Sequence, residues 1–486
     1  MKNMKLIKRI VCLILPCVLS IYSCTTEDFK ETDDVTNSLT EDNDENNGED
    51  DEENTDGENV DENINDDEKE TYNVFTISSA KDIELLSNVS AGDTIEWMNG
   101  EYIDETVILD FNGEEDKNIV LKAENPGNVS FTGESSMEIR GKNITVTGFK
   151  WIDPKPKGEN LLKFAAGSYK CKIENCLIDG SGNELDNTKN CKWVSIYGQE
   201  NILTHCTLKN KKDMGALCVI WLEENIIPKH TISYNYFSRS ETIYDDNGEP
   251  ANEQETIRIG DSSHSMQKGE CTIKGNYFYK SNGEKQEIVS VKCCSNLLEN
   301  NAFYESQGTL TLRHGNNNIV RNNIFIGNNI EDTGGIRIIG EGHVVEGNWM
   351  EKLNSVGYKA ALCIVRGQEN PSLSGYFQVK NVIVRKNTFI DCNLAMHINY
   401  GSSSMTVPVV ETKIENNVAL AKDLSSYVVR YEDSDPQAEI SWENNTFYGK
   451  FRNNYFTLTS LKNRPELPVC NINIDEIKNN SGTISF

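Results

Sequence analysis

Four short apolar stretches of this 486-residue chain each carry one cationic side chain. Side chains alternate between the two faces of a strand, so a cation between apolar neighbours stands on the solvent face. The four cations, 34, 21 and 24 residues apart, are Arg258, Lys292, Arg313 and Arg337. If the register holds, the four cations stand in one column about one strand spacing apart. Stacked like charges persist most readily when a polyanion or adjacent acids neutralise them. The pattern predicts a site for a polyanionic carbohydrate, although one such arginine alone is typical of a solvated strand residue.

The elements that position these cations follow from a repeat of Asn, one variable residue and an aromatic residue. Its clearest copies begin at Asn235, Asn276, Asn301, Asn323, Asn387 and Asn445. The central copies lie 22 or 25 residues apart, with short alternating apolar segments between them. This period indicates a solenoid. It predicts an all-β fold, a single-stranded right-handed parallel β-helix with coils about 4.8 Å apart. The repeated Asn is expected to hydrogen-bond to its copies in adjacent coils.

Two further sequence features predict elements outside the regular coils: outer loops and an N-terminal helix. Two steps between copies are longer: 41 residues from Asn235 to Asn276, and 39 residues from a further copy at Asn348 to Asn387. They indicate loops on the outside of the coil, where binding sites are commonly built. Residues 78–89 place Ile83, Leu86 and Val89 near helical spacing. We therefore expect a short N-terminal helix that caps the first coil, whose strand edge would otherwise be unpaired.

The N-terminal region reads as an export signal followed by a tether. Residues 1–24 combine a basic start, an apolar run and Cys24, as in a bacterial lipoprotein signal, and an ordinary secretory peptide is the alternative. Residues 25–70 hold 22 acidic residues against two lysines, so we expect a disordered tether. The predicted protein is exported and attached through lipidated Cys24 to the outer membrane, facing the cell surface or the periplasm. The folded domain is assigned to residues 71–486.

Composition and cysteine usage exclude several classes of protein. The net charge is −29, of which residues 71–486 carry −13, and this argues against a nucleic-acid partner. Eleven cysteines follow residue 70, an odd number without a Cys-x-x-Cys pair, so neither a complete disulfide framework nor a zinc site is expected. Most lie within apolar runs and are predicted to be buried.

Several ordered motifs resemble the family 6 polysaccharide lyases, which include alginate lyases and chondroitinase B. The motifs are Glu255-Thr256-Ile257-Arg258-Ile259-Gly260, Glu287-Ile288-Val289-Ser290-Val291-Lys292, Leu312-Arg313-His314-Gly315-Asn316 and Gly335-Ile336-Arg337-Ile338. The resemblance implies a parallel β-helix and β-elimination on a uronic-acid polymer. It implies that Lys292 is the base, that Arg313 is the acid or stabilises charge, and that His314 assists. Removal of the C5 proton builds negative charge, which such cations stabilise.

Substrate contacts are expected from further residues. Planar guanidinium groups suit bidentate contact with carboxylates, and this favours Arg258, Arg337 and Arg366 as substrate-binding residues. Glu287 and Lys292 are five residues apart, so both reach one site only if a bend intervenes.

The same resemblance bears on metal use. Metal-using members of the family hold Ca²⁺ with an Asn and a Glu-x-Glu motif before the lysine. Here Asn252 and Glu287 match, but Lys285 replaces the other acid. We expect the Lys285 ammonium to pair with Glu287 and the substrate, which gives an enzyme without a metal. A Ca²⁺ site formed by Asn252, Glu284 and Glu287 is the alternative.

These expectations combine into a functional prediction. The chain is predicted to be a monomeric alginate lyase, preferably on poly-mannuronate, that leaves 4,5-unsaturated uronate ends. A chondroitin or dermatan sulfate lyase is one alternative. A non-catalytic glycan-binding surface lipoprotein is another, because a fold does not determine a function.

Overall fold

A computed structural model describes residues 71–432 and 438–483. The predicted signal at 1–24, with Cys24, and the predicted tether at 25–70 lie outside the described residues. The described residues belong to one compact unit. Within the described residues, no helix is long and apolar enough to cross a membrane.

Parallel strands form three long sheets, which we call sheets 1, 2 and 3, and each coil visits them in the order 1, 3, 2. Sheet 1 contains Val74–Ile77, Thr94–Trp97, Ile119–Ala123, Ile144–Thr147, Lys172–Glu174, Ile202–Thr204, Thr231–Ser233, Thr272–Lys274, Leu297–Glu299, Ile319–Arg321, Val344–Glu346, Ile383–Arg385, Thr412–Glu415 and Ile440–Glu443. Sheet 2 contains Thr106–Leu109, Ser136–Ile139, Asn160–Phe164, Lys192–Ile196, Cys218–Ile220, Ile257–Ile259, Glu287–Lys292, Gly308–His314, Thr333–Ile338, Leu362–Val365, Met396–Tyr400, Tyr427–Tyr431 and Lys450–Arg452. Sheet 3 contains Gly100–Ile103, Val129–Thr132, Phe149–Ile152, Leu177–Asp179, Thr207–Lys209, Tyr236–Arg239, Tyr277–Ser281, Ala302–Tyr304, Ile324–Ile326, Trp349–Glu351, Thr388–Ile390, Val418–Leu420 and Thr446–Tyr448.

The described chain adds few other elements. A two-stranded ribbon pairs Asp186–Asn190 with Asp213–Met214. Helix α1 spans Ala80–Leu85, a 3-10 turn spans Gly357–Lys359 and helix α2 spans Ile474–Asn479. The predicted right-handed parallel β-helix is confirmed.

The repeated Asn forms a continuous ladder at the corner between sheets 1 and 3. Asn276 Nδ2 donates to Asn301 Oδ1 at 3.0 Å, and Asn301 Nδ2 donates to Asn323 Oδ1 at 2.9 Å. Backbone N–H groups donate to the same oxygens. The residue before each Asn turns the chain in the left-handed region, as Asn300 and Asn322 do at φ 54°. The predicted ladder is confirmed, and it pairs buried backbone that would otherwise lack partners.

The core lies inside the three sheets, and its aromatic residues stack with the coil repeat. Phe278, Phe303 and Phe325 stack at centroid distances of 4.5 and 4.4 Å. Ten of the eleven cysteines in the described region are buried and Cys470 is half-buried; all eleven are free thiols. The prediction that most are buried is confirmed.

Helix α1 is shorter than the predicted segment 78–89. It lies against Thr106–Leu109, the edge strand of sheet 2, and buries Ala80 and Ile83. Glu105 accepts a hydrogen bond from the Ala80 N–H at 2.9 Å. The helix ends early because Leu86 is extended, but its predicted position at the first coil is confirmed.

Candidate active site

The predicted cations lie at successive strands of sheet 2, although not in one column. Arg258 is aligned with Ser290, Ser290 with Thr311, and Thr311 with Arg337. Lys292 belongs to the neighbouring column, where it is aligned with His314. Arg313 is the extra residue of a register shift at this point. The prediction of four cations in a single column was therefore wrong: Lys292 lies two residues beyond Ser290, which occupies the column, and a β-bulge re-aims Arg313.

A second register shift supplies the bend that the sequence required. Glu287 is aligned with Thr309, but Val289 is aligned with Leu310, so Ile288 is the extra residue on its strand. The insertion changes the alternation and puts Glu287 on the same face as Ser290 and Lys292. Ser290 Oγ donates to Glu287 Oε2, in agreement with this arrangement.

Lys292 stands beside a buried carboxylate. Its Nζ lies 3.5 Å from Glu255 Oε1, and the lysine side chain is 20% exposed whereas that of Glu255 is 2% exposed. Within the described chain, Glu255 Oε2 is buried without a hydrogen-bond partner. The amine therefore reaches the surface while a buried acid fixes its position.

Arg313 is held by a loop that the sequence did not predict. Its guanidinium donates to the carbonyls of Ser374 and Gly375 at 3.1 and 3.2 Å. Its Cζ lies 4.3 Å from the ring centroid of Tyr376. Burial lowers the pKa of Arg313 from its ordinary value. These contacts fix the guanidinium next to the strand that carries Lys292.

His314 is buried and neutral. Burial, followed by the charges of Arg313 and Lys292, lowers its pKa to about 3. Arg313 Nη1 lies 3.3 Å from Nδ1, which must accept because guanidinium only donates. The proton is thus assigned to Nε2, which lies 3.3 Å from Ser262 Oγ. Both ring nitrogens are engaged within the protein, which favours a positioning role over proton delivery.

Arg337, and not Lys285, pairs with Glu287. Arg337 Nη2 contacts Glu287 Oε1, and both side chains are at most 10% exposed. Lys285 turns the chain at φ 57°, and its Nζ lies 5.8 Å from the ring centroid of Tyr244. The predicted Lys285–Glu287 pair was wrong because this left-handed turn directs the ammonium elsewhere.

The residues suggested as Ca²⁺ ligands are not arranged as a ready cation site. Asn252 is exposed, and both Glu287 oxygens are engaged by Arg337 and Ser290. Burial, with the nearby Glu255 and Glu287, raises the pKa of Glu284 to about 9. Within the described residues, no group of three or more His, Cys, Asp or Glu side chains is placed to hold a metal ion.

The remaining predicted residues differ in their partners. Arg258 is 8% exposed, its Cζ lies 5.0 Å from the Trp221 ring centroid, and its Nε has no hydrogen-bond partner among the described residues. Arg366 follows the strand Leu362–Val365 and donates to the Gly401 carbonyl at 3.1 Å. The two arginines are about equally buried, and they differ in that Arg258 packs on an aromatic ring whereas Arg366 donates to a backbone carbonyl.

A cavity of about 280 Å³ adjoins this cluster, and no sequence pattern indicates it. Arg337 lines it together with Tyr358, Tyr376 and Tyr400. The tyrosines come from three separate segments, so no local spacing connects them.

Comparisons with known proteins agree with this fold and place the chain among polysaccharide lyases of the parallel β-helix type. The family model described as chondroitinase B matches residues 77–484. The chain belongs to that family, the family 6 polysaccharide lyases. A search of curated proteins found no match.

Solved structures give the same result. The family 6 alginate lyase AlyGC is 28% identical, with a TM-score of 0.72 over 78% of this chain. The chain spans only 52% of AlyGC. A mannuronic-acid-specific family 6 lyase from human gut microbiota is 27% identical, with a TM-score of 0.69 over 80% of this chain and 89% of that enzyme. Pedsa3628 of Pseudopedobacter saltans is 20% identical with a TM-score of 0.63 over 84% of this chain and 99% of its own, which supports the fold.

Proposed function

We propose that the protein cleaves alginate, with a preference for poly-mannuronate, by β-elimination that does not require Ca²⁺. The observation that carries the proposal is the juxtaposition of Lys292 and Arg313 on adjacent strands of sheet 2, between Arg258 and Arg337. The mannuronate preference is supported by the likeness to the gut enzyme, which is named as mannuronic-acid-specific.

The reaction assigns one task to each group. Arg258 and Arg337 bind uronate carboxylates, and this lowers the cost of building negative charge at C5. Lys292, in its amine form, takes the C5 proton. The C4–O4 bond then breaks to form the C4=C5 double bond, and O4 receives a proton. Arg313 stabilises the charge; the proton comes from Arg313 or from water, since guanidinium is a reluctant acid.

Independence from Ca²⁺ is supported by the cations of the chain itself. Arg337 neutralises Glu287, and Lys292 neutralises Glu255. A Ca²⁺ ion bound through Asn252, Glu284 and Glu287 would require Arg337 to leave Glu287 and the raised-pKa carboxyl of Glu284 to ionise. We therefore derive no step through a metal.

One experiment tests the reaction and the substrate together. The purified protein is incubated with poly-mannuronate, poly-guluronate and dermatan sulfate, each with EGTA or with added CaCl₂, and unsaturated uronate is followed by ultraviolet absorbance. We expect the fastest rise on poly-mannuronate, unchanged by EGTA. Loss of activity in EGTA with recovery in CaCl₂ would refute the metal-free reaction.

Dermatan sulfate is included because the matching family model is described as chondroitinase B. Cleavage of dermatan sulfate alone would establish that second candidate. Binding of a polymer without any unsaturated product would instead establish a glycan-binding protein.

We also propose that the protein is exported, lipidated at Cys24 and monomeric. Export and lipidation are supported by the N-terminal sequence, with its apolar run before Cys24 and the acidic segment after it. Metabolic labelling with a fatty acid, compared between wild type and Cys24→Ala, tests lipidation. Light scattering of the chain without residues 1–24 tests the monomer.

A further inference from the structure

A ladder of cations and aromatic rings lies on sheet 2, on the N-terminal side of Lys292. Tyr197 and Trp221 stack with centroids 5.7 Å apart and planes 10° apart. Arg258 covers Trp221, and Lys163 lies over Tyr197 with its Nζ 5.7 Å from the ring centroid. We call these four residues the aromatic ladder.

The aromatic ladder leads directly to the predicted base. Ile196, Ile220, Ile259 and Val291 are aligned on neighbouring strands. The residues that follow them are therefore aligned as well: Tyr197, Trp221, Gly260 and Lys292. At one strand spacing per step, Trp221 is about 10 Å and Tyr197 about 14 Å from Lys292 along the sheet.

Gly260 lies between the ladder and the base and is packed too closely to carry a side chain. Its φ is 78°, and a Cβ there would lie 2.9 Å from Leu222 Cδ1 and 3.1 Å from the Lys292 carbonyl oxygen. Any other side chain would be strained at this position. The glycine is buried between its neighbours, so no side chain of its strand stands between Trp221 and Lys292.

The exposed parts of the ladder suit an anionic chain. Trp221 is half-buried with both ring faces occupied, by Tyr197 and Arg258, so it presents its ring edge. Ring edges carry partial positive charge. Trp221 Nε1 is fixed by donation to Ser195 Oγ at 3.2 Å, and Ser195 Oγ in turn bonds to Asn160.

Two further observations favour an anionic ligand. Arg258 is more than nine-tenths buried, and its Nε lacks a hydrogen-bond partner within the described chain. Burial, then the charges of Glu159 and Glu223, raises the pKa of Tyr197, so its hydroxyl stays protonated and can donate. Glu223 is already engaged by the Gly198 N–H at 2.9 Å.

We infer that the aromatic ladder is an additional substrate-binding surface, which holds uronate units of the polymer beyond those at the scissile bond. This inference rests on the proposed function. It makes the enzyme prefer chains long enough to reach from Lys292 to Trp221 and Tyr197.

The test compares trimannuronate with hexamannuronate as substrates. The measured quantity is the ratio of kcat/KM for the hexamer to kcat/KM for the trimer, in wild type, Trp221→Ala and Tyr197→Ala. We expect Trp221→Ala to lower this ratio about tenfold, and Tyr197→Ala to lower it severalfold. The matched control is Tyr279→Ala, which removes one ring of a stacked pair on sheet 3, and its ratio is expected to equal that of wild type.

The outcomes separate the inference from the proposed function. An unchanged ratio in Trp221→Ala, with normal melting, would overturn the inference while leaving the lyase intact. If Trp221→Ala does not fold, Tyr197→Phe keeps the stack and loses the hydroxyl that can donate to the polymer, and it must lower the ratio. If wild type cleaves no uronate polymer, the proposed function fails. Hexamannuronate binding by calorimetry, weaker in Trp221→Ala than in wild type, then still decides the role of the ladder.

Discussion

The asparagine corner and the candidate site on sheet 2 belong to the same coils but differ in how completely their polar groups are paired. At the corner, each Asn donates to its neighbour and to backbone, as Asn323 does with Asn348 and the Leu298 carbonyl. At the candidate site, Glu255 Oε2, Arg258 Nε and Arg337 Nε are buried without hydrogen-bond partners among the described residues. The corner uses its hydrogen-bonding capacity to hold coils together, whereas the site retains capacity that a ligand can use.

Register shows the same contrast. Between Thr272 and Arg321, the strands of sheet 1 pair without a shift. In the same coils, sheet 2 has three shifts: one at Ile288, one at Arg313 and one between Thr333 and Ile336. Bulges re-aim side chains at functional sites. Here the shifts at Ile288 and Arg313 bring Glu287 onto the face of Lys292 and place Arg313 beside it.

The largest expected effect is a loss of catalysis on substitution of Lys292, at the site where the regular strand register is interrupted. Lys292→Ala removes the proposed base, so we expect kcat on poly-mannuronate to fall about 1,000-fold, equivalent to about 4 kcal/mol of transition-state stabilisation. Circular dichroism is expected to show an unchanged fold, because Lys292 lies outside the core. Initial rates of unsaturated-product formation measure the loss.

The matched control is Lys280→Ala. Lys280 lies on sheet 3 and also pairs with an acid, since its Nζ is 3.5 Å from Glu305 Oε2. Its removal is expected to leave kcat within twofold of wild type. If Lys292→Ala and Lys280→Ala retain equal activity, Lys292 is not the base.

Substitution in the asparagine corner is expected to lower stability and to leave activity unchanged. Asn323→Ala leaves the backbone N–H of Asn301 and the Leu298 carbonyl without their partner. Unsatisfied buried groups cost roughly 1–3 kcal/mol each, so we expect the free energy of unfolding to fall by about 3 kcal/mol. Activity per folded molecule is expected to remain unchanged. Denaturant titration of unfolding measures the loss.

Asn328→Ala provides the comparison for that variant. Asn328 is an exposed residue that bonds to Tyr304 and Glu305. Its replacement is expected to alter the free energy of unfolding by less than about 0.5 kcal/mol. Equal destabilisation by the two variants would show that the corner ladder is not a principal source of stability.

The sequence predicts the corner far better than the site. Periodic Asn and aromatic residues specify the coils, the ladder and the core, because every copy carries the same physical requirement. The two bulges near Lys292 lack such a signal, since one extra residue leaves composition unchanged; only the five-residue gap between Glu287 and Lys292 pointed to one. The contact of Ser374 and Gly375 with Arg313 joins segments about 60 residues apart in the chain, and no local pattern reports it.

A smaller effect is expected from the buried acid of the site. The pKa of Glu284 is raised to about 9 by burial and by nearby Glu255 and Glu287. Its ionisation opposes folding, so the cost is absent below the unfolded pKa and grows as pH rises towards 9. Glu284→Gln removes this cost at a slope of at most about 1.4 kcal/mol per pH unit. We expect its stability advantage over wild type to increase by about 2 kcal/mol between pH 6 and 8.

Chemical denaturation at a series of pH values measures this advantage. Glu341→Gln alters an exposed acid and is expected to give a constant difference from wild type. If the advantage of Glu284→Gln is also constant with pH, Glu284 is already ionised in the folded protein. Repeating the series with CaCl₂ then tests whether a bound cation is responsible.

The smallest effect is expected at a second corner, between sheets 2 and 1, where a histidine takes the place of Asn. His343 Nδ1 accepts the Asn318 N–H at 3.1 Å, and burial lowers the pKa of His343 to about 4. The unfolded chain takes up a proton near pH 6.5 while the folded chain does not, so stability is lost as pH falls from there to about 4. In His343→Asn we expect a smaller loss than in wild type, by about 1 kcal/mol between pH 7 and 5.5. The variant keeps an acceptor for Asn318, so its stability at pH 7 is expected to be close to that of wild type.

Denaturation midpoints at both pH values measure that difference. His264→Asn is the control, because His264 is partly exposed and paired with Asp261 rather than buried at the corner. An acid loss in His343→Asn equal to that of wild type would show that His343 is protonated within the fold. The corner between sheets 2 and 1 would then carry a buried charge, as the candidate site does. The contrast between a fully paired corner and an incompletely paired site would then not hold at His343.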